Sequence, residues 1–137
     1  MKELKINHLA VLACTGLSML IPMAWYGVFA DQWMSMNELS EEFISENEGA
    51  SMYVSALVSG LIGSYVLAWL WKKMNIQTIV DGLITALTIG FGLVFLTGMV
   101  HNLFEYRPYG LSWINGGQTT LWIIISGVIL AAWKKYS

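Results

Sequence analysis

At 137 residues the chain has room for one domain and none for a soluble partner domain. Hydrophobic residues make up 56% and charged residues 12%, about half the charged share of a soluble globular chain, which excludes an ordinary soluble fold. The net charge of −2 offers no basic surface for nucleic acid, and the single cysteine, Cys14, excludes an intrachain disulfide and a metal site built on cysteines.

Four runs are long enough to cross a bilayer of ~30 Å, which takes about 20 helical residues. They cover 9–30, 52–71, 79–100 and 113–133, and none shows the period-2 alternation of a membrane barrel. The fold expected is all-α and integral to the membrane: one domain over 1–137 with four transmembrane helices. Aromatics gather at the ends of the runs, as in an interfacial belt, and only Trp122 lies well inside one.

Lys2 and Lys5 precede the first run, and Pro22 in its outer half removes one backbone hydrogen bond. Val11-Leu12-Ala13-Cys14 has the look of a lipobox, but the apolar stretch before Cys14 is too short and the run continues well past it. A permanent first helix is expected. The outer loop, 31–50, carries Ser35-Met36-Asn37-Glu38, a capping-box pattern. Met36, Leu39, Phe43 and Ile44 would then share a helical face opposite Glu41, Glu42, Glu46 and Glu48. This predicts a short amphipathic acidic helix in the first outer loop.

The second run repeats small residues four apart: Ser55, Ser59 and Gly63, and also Gly60, Ser64 and Ala68. The third does so with Gly82, Ala86 and Gly90, followed by Gly92 and Gly98. Such rows let helix backbones approach closely in lipid, for internal packing or for a dimer seam. Asp81 is the one carboxylate placed in an apolar run. It is a candidate intramembrane proton site, yet Thr78-Ile79-Val80-Asp81 is also a capping arrangement at a helix start, and capping accounts for its position.

The third helix is expected to continue through His101, Asn102 and Glu105 to about residue 106 and to end at Arg107-Pro108. His101 and Glu105 share one face, as do Asn115 and Gln118 at the start of the fourth helix. Trp25 and Tyr26 reach the same depth from the first. The outer ends of three helices can thus surround a polar and aromatic cluster of Trp25, Tyr26, His101, Asn102, Glu105, Arg107, Asn115 and Gln118. It serves either as a hydrogen-bond network joining the helices or as a ligand pocket. For a metal, His101 and Glu105 lack a third ligand, and no nucleophile sits in an activating motif. No cofactor, metal or catalytic residue is assigned.

Six of the seven basic residues lie at one side if both termini and the 72–78 loop face the cytoplasm, leaving only Arg107 outside. The acidic 31–50 loop is then outside, with the chain in a bacterial inner membrane. Trp25-Tyr26 closing the first span with Trp33 soon after, Asn102-x-Phe104-Glu105 closing the third, and Asn115 opening the fourth resemble a family of small bacterial membrane proteins known only as domain of unknown function 1761. The resemblance covers nearly the whole chain. It implies a four-helix integral membrane protein without assigned activity, substrate or cofactor, and so brings no functional residues with it. Two features depart from it: the acidity of the loop helix, and Gly116-Gly117-Gln118 where a bulkier aromatic is expected.

The function expected is that of a structural or accessory subunit, or a homo-oligomer, in contact with lipid or a larger membrane complex and not with nucleic acid. The alternative is a small transporter or channel built from several copies, using the outer pocket. An enzyme acting on a lipid-like substrate, with His101 and Glu105 as acid and base, is the third reading.

Overall fold

Asn7 starts the first span: its side-chain oxygen accepts from the amides of Leu9 (3.1 Å) and Ala10 (3.4 Å), two donors that a helix start leaves unpaired. The helix it begins, α1, runs His8–Val28. The computed structural model describes residues 4–136, and side chains through 134. Lys2 therefore lies outside the described residues, and Lys135 enters only through its backbone. Two short helices follow, α2 (Ala30–Asn37) and α3 (Glu41–Asn47), and then α4 (Ala50–Lys73). The third span, α5, covers Ile79–Phe104, and the fourth, α6, covers Tyr109–Ala132. These four long helices are apolar enough to cross a membrane, as the sequence predicts.

Their bounds shift by a few residues for local reasons. α6 begins at Tyr109, ahead of the apolar run, because Pro108 precedes it in extended conformation (φ −61°, ψ 147°). α5 stops at Phe104 because Tyr106 is left-handed (φ 59°), and the Arg107 amide turns back to the Asn102 carbonyl.

The outer connection needs a correction. Its acidic helix is capped by Ser40, whose hydroxyl accepts from the Phe43 amide at 3.1 Å, and not by Ser35. Glu38 adopts a left-handed conformation (φ 56°, ψ 40°), and the amides of Glu38 and Leu39 close back onto Ser35 and Met34. That closure splits the stretch in two. Met36 on α2 packs over Gly110, whereas Phe43 on α3 is exposed, so the single apolar face expected of Met36, Leu39, Phe43 and Ile44 does not form.

The first and last described segments meet at one end of the bundle. Strand β1 (Leu4–Lys5) pairs antiparallel with β2 (Lys135–Tyr136), and the Asn7 amide donates to the Trp133 carbonyl at 3.1 Å. The Lys134 ammonium donates to the Gln77 carbonyl, tying in the α4–α5 link. We call this the terminal end. α2, α3 and the turn before α6 form the distal end.

α6 is the hub, packed against α1, α4 and α5, while α4 leans mainly on α1. With no hydrophobic force between helices in lipid, small residues set these crossings. A Cβ on Gly60 would lie 1.9 Å from Ser18 Oγ, and one on Gly82 2.6 Å from Ala131 Cβ. The small-residue rows thus separate by role. Gly60, Ser64 and Ala68 are buried, as are Gly82, Ala86 and Gly90, whereas Ser55, Ser59, Gly92 and Gly98 face outward. Indoles complete the packing. Trp71 covers Gly127 and donates to its carbonyl at 3.0 Å; Trp122 covers Gly63 and donates to the Cys14 carbonyl at 2.9 Å.

The contiguous core comprises Ala10, Val11 and Cys14 of α1, Leu67, Ala68 and Trp71 of α4, Ala86 of α5, Ile123, Leu130 and Ala131 of α6, and Ile76. All of these belong to the terminal half. The distal half is looser, and the recesses described next open there.

Candidate functional site

Midway along α5 the helix widens into a π turn over Gly90–Phe95. At the start of this turn the Gly90 carbonyl accepts from Thr120 Oγ1 of α6 at 3.2 Å, tying the widened segment to its neighbour. Beyond this turn two faces of the α1–α5–α6 assembly diverge in chemistry.

One face is aromatic. Phe91 and Phe95 stack with centroids 5.1 Å apart at 15°, and Phe95 meets Trp113 edge-on at 4.9 Å. Trp25 of α1 closes the opposite side, donating to the Ile114 carbonyl at 2.8 Å and packing on Phe29 at 5.0 Å. Between these rings lies a groove of about 470 Å³, floored by Gly117 and Thr120. Its lining is almost wholly apolar, so it accommodates hydrocarbon.

The other face is polar. Tyr26, next to Trp25 in sequence but turned away from it, donates to Asn115 Oδ1 at 2.7 Å. Asn102 donates to Ser112 Oγ at 3.1 Å, joining α5 to α6. His101, Asn102, Ser112, Asn115 and Thr119 line a recess of about 220 Å³. A second, of about 480 Å³, lies among Tyr26, Trp33, Asn37 and Asn115. Asn115 lines both. Its side-chain nitrogen has no hydrogen-bond partner among the described residues, which leaves a donor available to a ligand.

The predicted cluster is therefore brought together in part. Tyr26, His101, Asn102 and Asn115 converge on the polar face. Glu105 pairs with His101 at 3.0 Å on the exposed surface, with the two side chains 50% and 74% accessible. Arg107 reaches sideways to Asn37 Oδ1 at 2.8 Å. Trp25 belongs to the aromatic groove, and among the described residues the side chain of Gln118 is hydrogen-bonded only by its neighbour Thr119, which donates to Oε1 at 3.3 Å. Asp81 lies at the far end, exposed, with its amide held by Thr78 Oγ1 at 3.0 Å. Sequence reasoning missed Ser112 as a partner of Asn102, and it missed the groove. The signal for the groove was Phe91 and Phe95, four apart and flanked by Gly90 and Gly92. Among the described residues no three His, Cys, Asp or Glu side chains gather in a metal-binding arrangement.

A model of a family described as a protein of unknown function, DUF1761, matches residues 9–131. The chain belongs to that family. No curated protein and no solved structure matches it. The match takes in all four long helices and both faces of the distal site. In this family member Gly116 and Gly117 are filled from outside: a Cβ on Gly116 would lie 2.8 Å from the Phe95 ring, and one on Gly117 3.0 Å from Trp25. The aromatic bulk expected at these positions is supplied by α1 and α5.

Proposed function

We propose that this membrane protein is a non-catalytic subunit that acts by assembly, with itself or within a larger membrane complex, and that α4 makes the contact. One observation carries the reading. Residues 50–59 of α4 are exposed on every side, so half a membrane helix leaves the bundle without a neighbour. Its apolar side chains are bare, Met52 at 60% and Val54 at 59%, and Ser51, Ser55 and Ser59 recur four apart along it. A second helix can approach closely over such serines, and van der Waals contact is the main attraction between helices in lipid. The reading sets the terminal end, with Lys72, Lys73 and Lys134, in the cytoplasm and the acidic α2–α3 segment outside.

The test is native mass spectrometry of the protein released from its own membrane in mild detergent. A defined oligomer, or co-release with a larger protein, is expected. Ser55→Leu with Ser59→Leu should break that species into free chains while leaving the fold intact. A partner-free wild-type monomer defeats the proposal.

A second reading has one observation in its favour. The unpaired Asn115 amide in the polar recess suits a small polar solute carried by several copies together. Solute flux in proteoliposomes that is lost with Asn115→Leu would support it; no difference between the two proteins would remove it.

A further inference from the structure

At the terminal end a small recess lies where β1, the last turn of α4 and the last turn of α6 meet. It holds about 30 Å³, room for a few oxygen atoms, and is floored by Ala68, Trp71 and Leu130. Lys5, Lys72 and Lys134 all line it, and among the described residues no carboxylate does. Lys134 is held by the Gln77 carbonyl. Lys5 and Lys72 have neither a hydrogen-bond partner nor a counter-ion among the described residues.

The three cations come from segments far apart in sequence, and specific contacts hold them together. The register of the ladder places Lys5 opposite Lys135, Asn7 binds the Trp133 carbonyl, and Lys134 reaches across to the α4–α5 link. Like charges around one recess repel, the more so beside apolar walls where screening is weak. An anion seated between them turns that repulsion into attraction. Depth decides which anion is at hand. Trp133, exposed at the end of α6, lines the same recess, and tryptophan prefers the membrane–water interface, so the recess opens at headgroup level.

We propose that this recess binds the phosphate of an anionic membrane phospholipid, one lipid per chain, with Lys5, Lys72 and Lys134 as its cationic ligands. The proposal rests on the four helices crossing a membrane and is independent of assembly through α4. It differs from a general attraction of basic residues to acidic lipid because it excludes a neighbour. Lys73, next to Lys72, points elsewhere, with its ammonium 5.8 Å from the Trp69 ring centroid, and does not line the recess.

The full-length protein in mild detergent, offered equal amounts of phosphatidylglycerol and phosphatidylcholine, is followed by native mass spectrometry. Wild type should retain one phosphatidylglycerol in preference. Lys5→Gln and Lys72→Gln, which remove no bond of the fold, should each lower that preference about fivefold. Lys134→Gln added to both should abolish it, Lys72→Arg should keep it, and Lys73→Gln should leave it unchanged. Thermal unfolding of each variant separates loss of binding from loss of fold. Equal lipid preference in wild type and the triple variant overturns the proposal. So does a loss in Lys73→Gln as large as in Lys72→Gln, which would mean diffuse charge. Ready displacement of the lipid by millimolar inorganic phosphate would overturn the lipid as the natural occupant.

Discussion

Replacing Gly127 by alanine should test whether close packing at the hub holds the bundle together. Gly127 lies where α4, α5 and α6 meet. A Cβ there would stand 2.7 Å from Trp71 Cζ2, 2.8 Å from Ala86 Cβ and 3.4 Å from the Gly82 carbonyl oxygen. Two of these separations are shorter than real contacts allow, and they lie on different helices. Either α5 moves off or the Trp71 ring swings out, and the second breaks its 3.0 Å bond to the Gly127 carbonyl. Overpacking by one methyl group in a filled interior costs about 1–3 kcal/mol. A hydrogen bond between membrane helices contributes ~0.6 kcal/mol on average. The sum is roughly 2–4 kcal/mol, partly offset by the ~0.5–1 kcal/mol that alanine gains over glycine within a helix. Gly16→Ala is the control: its Cβ meets nothing within 4 Å, so only the helix gain remains. Both proteins would be unfolded reversibly in mixed micelles and followed by tryptophan emission. If they differ by less than ~0.5 kcal/mol, the claim that small residues set these crossings is wrong.

Tyr26→Phe, Asn115→Ala and the double variant should show a coupling of ~0.6 kcal/mol, and at most ~1.7, in the same unfolding assay; additive effects would mean that the 2.7 Å bond contributes nothing. Asn102→Ala should lower the melting temperature by freeing Ser112, and an unchanged temperature would remove the α5–α6 network from the stability argument. Thr120→Val should destabilise the π turn by about 1 kcal/mol and Thr120→Ser should not, since serine keeps the hydroxyl that the Gly90 carbonyl accepts from. His101→Ala and Glu105→Gln should each alter stability by less than ~0.5 kcal/mol, because exposed pairs contribute little.

What the sequence revealed followed from length and charge. Four apolar runs, lysines at alternate ends and Thr78 ahead of Asp81 were enough to set the spans, their order and the meeting of both termini at one end. Helix rotation was not legible. A soluble helix declares its inner face through apolar periodicity, but a span that is apolar all round declares none. Nothing in the chain therefore told that Gly60 points inward and Ser59 outward, or that Trp25 and Tyr26 serve opposite faces. Gln118 was grouped with Asn115 on spacing alone, and that spacing does not reveal which neighbour stands opposite. The split at Glu38 was hidden for a different reason: the left-handed position is usually glycine or asparagine, and a glutamate there carries no warning.

The uneven distribution of the core carries a consequence for dynamics. The terminal half is joined by the β ladder, by Asn7 to Trp133, by Lys134 to Gln77 and by Trp71 to Gly127, and the contiguous core lies there. Beyond Gly60 the distal half of α4 has its own helical bonds and little else. Local opening should therefore begin in 50–59, where few buried contacts oppose it. In the free chains expected of the Ser55→Leu and Ser59→Leu double variant, amides of 50–59 should exchange with deuterium at least about tenfold faster than those of 60–73, a difference of about 1.4 kcal/mol. In an assembled form those same amides should become protected, because the proposed contact supplies the neighbour that the bundle lacks. Equal exchange along the whole of α4 in the monomer would show that the exposed half is stable alone. The case for assembly would then lose its energetic reason, though not its geometry.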